Sequence, residues 1–215
     1  MQIPQLFEQF NRLQQIHGHR DLDAVYGCGK IKNPRICLVF MNPTGRNVSA
    51  DKKWTGLKAP WLGTKNIWKM FYQLGLLDRQ LFDEISARKP ADWDYQFSKT
   101  VYKKISGNSI YITNLSKATQ IDARPLPDET FRQYLDLLKE EIGIIKPGAI
   151  ITFGNQVSSV MLHKNIRVSA SRKKHHLFEI NGVSYKVFPV YYPVGQGMRN
   201  MKLAREDINW IMKNH

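Results

Sequence analysis

The feature that most constrains the fold of this chain is a short apolar run that ends abruptly in a polar turn, within Arg35–Asn47 (RICLVFMNPTGRN). Residues Ile36–Phe40 are all apolar and include branched and aromatic side chains, a composition typical of a strand buried on both faces. Residues Asn42–Gly45 then form a cluster that favours a turn. Open α/β folds bind ligands where parallel strands end in such loops, so this stretch predicts a parallel sheet with a polar site at its carboxyl edge.

An ordinary strand-to-loop junction has the same local pattern, but the pattern recurs three more times. The further predicted strands are Ser109–Thr113, Ala149–Phe153 and Val183–Val190, and they run into Asn114, Gly154-Asn155 and Tyr191-Tyr192-Pro193. The predicted helices are Ile3–Ile16, Thr64–Leu77 with Thr64 as its candidate cap, Asp92–Ile105, Pro127–Ile145, one from Asn155 to Leu162, and Asn200–Met212. Strands that alternate with helices predict an α/β fold: a three-layer α/β/α sandwich with a central four-stranded parallel sheet, as one domain over residues 1–215.

Charge is the most informative part of the composition. Lysine and arginine number 32 against 18 acidic residues, a formal net charge of +14 that attracts polyanions, of which nucleic acid is the commonest in cells. Such an excess can also simply keep a protein in solution. The basic residues concentrate in Arg46–Lys69 and in His163–His176, the second of which contains no acid.

Several classes of function lack their usual motifs. There is no GxGxxG and no GxxxxGK[ST] loop for phosphates, and no HExxH or paired-cysteine motif for zinc. His163, His175 and His176 lie among Lys and Arg, which favours a phosphate-facing or solvated loop over a metal site. We expect no metal and no cofactor. With two cysteines, no membrane-spanning run and no signal-peptide pattern, the sequence favours an intracellular protein without disulfides.

The polar strand ends, taken in their order along the chain, resemble the motifs of the uracil-DNA glycosylase superfamily. The similar segments are FMNPTG (Phe40–Gly45), KAPWLGTKNIWKMFYQLGLL (Lys58–Leu77), YITNLSKATQ (Tyr111–Gln120), IKPGAIITFGNQVSSVML (Ile145–Leu162) and VFPVYYPVGQGMRN (Val187–Asn200). The resemblance implies an enzyme that turns a damaged base out of DNA and hydrolyses its N-glycosidic bond, leaving an abasic site. One branch of that superfamily carries an iron–sulfur cluster, but Cys28 and Cys37 are too few to hold one, so we expect none here.

The resemblance assigns catalytic roles to two residues. Asn42 would position the attacking water, at a place where fast uracil-specific members carry Asp. Tyr192 stands where the family carries a His that donates a hydrogen bond to the departing base. A phenol can also donate, although the replacement is equally compatible with a lost activity or another substrate.

The resemblance also assigns residues to the base and to DNA. Asn114 would read the edge of uracil through its carboxamide, and Trp61 would form a flat wall under the base; a turn-capping Asn and a core or surface Trp are the alternatives. The other residues expected to contact the substrate are Met41, Pro43 and Thr44. The residues expected to contact DNA are Lys173, Lys174, Gly197, Met198 and Arg199, although Met198 can instead be the first core residue of the last helix.

Three hypotheses follow. The leading one is a monofunctional DNA glycosylase for uracil or a related deaminated base. It would act as a monomer on single- or double-stranded DNA, without membrane association, in the cytoplasm near the nucleoid. The second is a catalytically silent DNA- or RNA-binding module on the same fold. The third is an unrelated α/β enzyme acting on small nucleotides, against which the missing phosphate loop argues.

Overall fold

The described part of the chain, residues 3–124 and 126–215 of a computed structural model, contains a mostly parallel six-stranded sheet. Its strands are β1 (Cys28–Gly29), β2 (Ile36–Phe40), β3 (Ile110–Asn114), β4 (Ala149–Phe153), β5 (His176–Ile180) and β6 (Val183–Val190). They lie in the order β1-β3-β2-β4-β6-β5. Strands β3, β2, β4 and β6 are parallel, whereas β1 and β5 are antiparallel to their neighbours.

The prediction of a four-stranded sheet was wrong, because the sheet has an antiparallel strand at each edge. The four predicted strands form its parallel centre, and β2, β4 and β6 have the predicted bounds. Strand β1 has only two residues and lies in a Gly-rich segment that reads as a loop. Strand β5 follows the basic segment closely and alternates exposed with buried residues, since it is an edge strand.

Helices surround this sheet. They are α1 (Phe7–His17), α2 (Asn66–Gln73), α3 (Arg79–Ala87), α4 (Tyr95–Gly107), α5 (Asp128–Ile145), α6 (Asn155–Leu162), α7 (Val168–Ser171) and α8 (Met201–Asn214). Short 3₁₀ turns cover Ile3–Leu6, Val48–Ala50, Pro90–Asp92 and Gly195–Asn200. Helices α3 and α7 were not predicted. The cap of α2 is Lys65 rather than Thr64, because the Thr64 hydroxyl donates to the Trp61 carbonyl instead. In the part of the chain described, no helix combines the length and apolar character that a bilayer span needs.

The two faces of the sheet are both buried, which explains why the central strand β2 is apolar throughout. Ile36, Leu38 and Phe40 of β2 contribute to the core on the side of α2, α4 and α8. Cys37 and Val39, which alternate with them, contribute to the core on the side of α5 and α6. A parallel sheet covered on both faces leaves its strand ends as the places where polar side chains can meet.

Candidate active site

A cavity of about 1320 Å³ lies at the carboxyl edge of the parallel strands. The sequence-predicted residues that line it are Met41, Asn42, Pro43, Thr44, Trp61, Asn114, Tyr192 and Gly197. The fold therefore brings together eight residues that are spread over more than 150 positions of the sequence. The predicted DNA contacts Lys173, Lys174, Met198 and Arg199 are not among the described residues that line it.

The loops that follow β2 and β3 continue to pair beyond the ends of these strands. The backbone NH groups of Leu115 and Ser116 donate to the carbonyls of Phe40 and Met41 at 2.8 and 3.0 Å. Farther along, the NH of Gln120 donates to the Pro43 carbonyl at 3.1 Å, and Thr44 forms a parallel bridge with Gln120. This pairing holds the two loops in a fixed register.

Asn42 is nearly buried, and its amide nitrogen donates to the Pro43 carbonyl at 3.1 Å. That bond leaves the Asn42 side-chain oxygen as the group that can accept a hydrogen bond from a molecule in the cavity. A neutral carboxamide can orient a water molecule in this way, but it is too weak a base to remove a proton by itself.

Asn114 is 2% exposed, and its Nδ2 is buried without a hydrogen-bond partner among the described residues. A buried donor without a partner is unfavourable by about 1–3 kcal/mol, so native proteins rarely keep one without a reason. Asn114 lines the cavity, and a ligand with a carbonyl oxygen at this position would satisfy its NH₂ group.

Trp61 is held in a left-handed backbone conformation with φ of 67°, which is unfavourable for a bulky residue. Its carbonyl accepts hydrogen bonds from the Thr64 hydroxyl at 2.7 Å and from the Trp68 indole at 3.1 Å. Its ring meets the buried ring of Phe40 edge to face, with centroids 4.9 Å apart. These contacts fix the Trp61 side chain in the wall of the cavity.

The loop that carries Trp61 is braced by a buried asparagine. The side chain of Asn47 donates to the Ala59 carbonyl at 2.9 Å and accepts from the backbone NH and the hydroxyl of Ser49 at 3.1 and 3.0 Å. The Ser49 hydroxyl is also 2.8 Å from the same Ala59 carbonyl. These bonds attach the Trp61 loop to the turn after β2.

Tyr192 follows β6, and its ring also lies near that of Phe40, with ring centroids 6.2 Å apart and planes almost perpendicular. Burial raises the pKa of the Tyr192 phenol well above its usual value, so the phenol stays protonated near neutral pH. A protonated phenol in the cavity wall is a hydrogen-bond donor.

Gly197 approaches the backbone of Tyr192 too closely for any side chain. A Cβ at this position would lie 2.0 Å from the Tyr192 carbonyl oxygen. The next residue, Met198, is 49% exposed, and its sulfur lies 3.4 Å from the side-chain nitrogen of Asn66, which lines the cavity. Met198 therefore stands beside the cavity mouth and not in the core.

The fourth polar strand end does not contribute to the cavity. Asn155 begins α6, and its side-chain oxygen accepts a hydrogen bond from the Val168 backbone NH at 2.9 Å, which anchors the short helix α7. Lys173 and Lys174 are exposed just after α7. Because β5 is antiparallel to β6, these lysines, which precede β5, lie at the same edge of the sheet as the cavity.

The cavity also contains residues that sequence reasoning missed. They come from three segments and comprise Asp21 and Leu22, Pro90, Ala91 and Trp93, and Asp122, Ala123 and Arg124. None of these segments has a local motif, because tertiary packing alone brings them to the sheet edge. Arg46, Lys53 and Lys65 add cations to the cavity wall from the basic segment around residues 46–69, which the charge pattern did single out.

This arrangement defines a class: an α/β protein whose mostly parallel sheet ends in a cavity whose lining includes Asn42, Asn114, Tyr192 and Trp61. Residues 26–211 match the model of the Uracil DNA glycosylase superfamily, and the chain belongs to that superfamily. The resemblance predicted from the strand-end motifs is thereby confirmed. Members of this superfamily act on DNA and hydrolyse N-glycosidic bonds. No curated protein matches the chain.

Proposed function

We propose that this protein is a monofunctional DNA glycosylase that removes uracil or another deaminated base. The observation that carries the proposal is the buried Asn114 amide nitrogen, which has no hydrogen-bond partner among the described residues and lies in a cavity shared with Asn42 and Tyr192. Deamination replaces an exocyclic amine, a donor, with a carbonyl, an acceptor. A fixed NH₂ donor therefore favours the deaminated base over its parent, whose amine would leave both donors unpaired.

In the proposed reaction the damaged nucleotide turns out of the stack into the cavity. Volumes of about 300–1000 Å³ hold drug-sized ligands, so 1320 Å³ accommodates a base together with part of its sugar and phosphate. Trp61 provides an aromatic surface beside the base, and the cations Arg46, Lys53 and Lys65 face the phosphates.

The bond between the base and C1′ breaks with its electron pair moving to the base. The Tyr192 phenol donates a hydrogen bond to the base as negative charge develops on it, which stabilises the transition state. Asn42 orients a water molecule whose oxygen attacks C1′. The water's proton is released to solvent or to the departing base, so the products are the free base and an abasic site.

The silent binding module is the second candidate, and it rests on the Tyr at position 192. The hydroxyl of Tyr192 argues for activity instead, because it is a hydrogen-bond donor like the His that the family carries at this place. We infer that the protein acts as a monomer on DNA in the cytoplasm. The location is inferred from the substrate class, which is DNA.

Single-turnover incubation of excess protein with labelled oligonucleotides tests the proposal. Each oligonucleotide carries one uracil, hypoxanthine or xanthine in a single or double strand, and alkali then reveals abasic sites. Cleavage at any of these bases, with cytosine, adenine and guanine left intact, supports the proposal and names the substrate. Tight salt-sensitive binding without cleavage would instead identify the binding module.

A further inference from the structure

A buried ion pair lies directly behind Asn114, on the face of the sheet away from the cavity. Lys117 and Glu141 are both fully buried, with Nζ and Oε2 2.7 Å apart. Lys117 follows β3 by three residues and Glu141 belongs to α5. Replacing such a pair with well-packed uncharged residues is often neutral or stabilising, so stability does not explain why the chain contains it.

The Lys117 ammonium is satisfied at each of its three protons. Besides Glu141, it donates to the Thr113 hydroxyl at 2.7 Å and to the Asn114 main-chain carbonyl at 2.6 Å. The ammonium also lies 4.9 Å from the centre of the Phe10 ring. It therefore ties together the last two residues of β3.

The Glu141 carboxylate is held equally well. It accepts from the Tyr111 hydroxyl at 2.8 Å and from the Thr113 hydroxyl at 3.0 Å, in addition to Lys117. Every group of this network has a partner, which makes it a rigid support.

Side chains alternate between the faces of a strand, so Tyr111 and Thr113 meet this network while Asn114 faces the cavity. Because no residue in the described part of the chain accepts a hydrogen bond from the Asn114 Nδ2, the position of the carboxamide depends on its own main chain. Lys117 holds that main chain at the carbonyl, and the Leu115 NH bonded to Phe40 holds it from the other side.

We propose that Lys117 is a positioning residue, which with Glu141 fixes the Asn114 carboxamide for reading the base. The proposal rests on the proposed glycosylase function and adds a specific role for a buried charge outside the cavity wall. It accounts for a lysine kept in the interior at the end of the strand that carries the base-reading asparagine.

The test uses the double variant Lys117→Met with Glu141→Gln, which removes both charges and keeps the volumes similar. The matched control is Lys104→Met with Asp78→Asn, a second ion pair, with Nζ and Oδ2 2.9 Å apart, which joins α4 to the residue before α3 and lies outside the cavity. Single-turnover rates at saturating protein, DNA affinity, melting temperature and the ¹⁵N-resolved side-chain amide signals of Asn114 are measured for each.

For the Lys117/Glu141 double variant we expect unchanged DNA affinity, a melting temperature within a few degrees of the parent, and displaced or doubled Asn114 amide signals. Its cleavage rate should fall by up to about 100-fold, the loss expected when a reacting group moves by about 1 Å. The control should keep the parental rate and amide signals. The single variant Lys117→Met should have a lower melting temperature than the double variant, because it leaves the Glu141 charge unpaired.

Parental rates and parental Asn114 signals in the double variant would overturn the positioning role. So would a loss of rate that only follows a loss of folded protein. If the unaltered protein cleaves none of the tested bases, the glycosylase proposal fails, whereas the amide signals still decide whether Lys117 positions Asn114.

Discussion

The two sides of the cavity are constructed differently. On one side, residues 114–119 are all buried, and their backbone pairs with the loop after β2. On the other side, the loop 195–200 forms a 3₁₀ turn, and Met198 and Arg199 are exposed. We interpret the first side as the fixed wall that reads the base and the second as the surface that meets DNA. Changes to the fixed wall should therefore affect chemistry, and changes to the exposed side should affect binding and base turning.

The largest effect is expected at the fixed wall. Asn42→Ala removes the group that orients water, so the single-turnover rate should fall by roughly 10²- to 10⁴-fold while DNA affinity stays near normal. The matched control is Asn155→Ala, which alters another strand-end asparagine whose side chain bonds to Val168 outside the cavity. If Asn42→Ala and Asn155→Ala lost the same fraction of the single-turnover rate, the proposed role of Asn42 in the cavity would be wrong.

The next largest effect is expected at Tyr192. Tyr192→Phe removes only the hydroxyl, and we expect a loss of about 10²- to 10³-fold in the single-turnover rate, the effect of deleting one donor to a developing anion. Since burial raises the pKa of this phenol, the rate of the unaltered protein should not fall from Tyr192 ionisation below about pH 10. A pH–rate profile measured on both proteins checks this, and a Phe variant with the parental rate would remove Tyr192 from the mechanism.

The same shift in the pKa of Tyr192 predicts how the stability of the protein changes with pH. The phenol ionises at about pH 10 in the unfolded chain but only at higher pH in the folded protein, so unfolding releases a proton above pH 10. The contribution of Tyr192 to stability is fully present below pH 10 and is lost progressively above it. Urea unfolding of the parent and of Tyr192→Phe at pH 8 and pH 11 should show a smaller loss at high pH in the variant.

The basic segment after α7 should affect binding without affecting chemistry. Lys173→Glu with Lys174→Glu should weaken binding to DNA of any sequence and lower the slope of log affinity against log salt by about 2, if both lysines contact phosphate. Lys30→Glu with Lys32→Glu is the control, because these exposed lysines precede β2 at the opposite edge of the sheet and change the net charge equally. Equal weakening in the two variants would mean that overall charge, and not this segment, governs binding.

The smallest effect is expected at Met198. If its exposed side chain fills the space left by the turned-out base, Met198→Ala should slow cleavage roughly tenfold in duplex DNA and leave single-stranded DNA unaffected. Rates on the two substrates, measured in the same buffer, test this directly. The same loss on single strands would argue against a wedge.

The strands were predictable because their signal is local. A run such as Ile36–Phe40 is apolar throughout since both faces of a parallel strand are buried, and its end is visible as Asn-Pro-Thr-Gly. The edge strands β1 and β5 were not predictable. Strand β1 has only two residues and β5 is partly exposed, so neither differs from a loop in composition.

The candidate site was predictable where residues stand at strand ends and in family-like motifs, as Asn42, Asn114 and Tyr192 do. Asn155 has the same local signature but lies outside the cavity, because its side chain bonds to the Val168 backbone. A strand-end asparagine in the sequence thus indicates a position at the sheet edge and not the direction of its side chain.

The sequence by itself determined the parallel centre of the sheet, the basic charge and the superfamily, since each depends on composition, order or spacing along the chain. Tertiary structure alone decided which polar strand ends share the cavity and which distant segments complete it. It also decided that Lys117 and Glu141 meet behind Asn114, because the pairing of residues 24 positions apart depends on how α5 packs against the sheet.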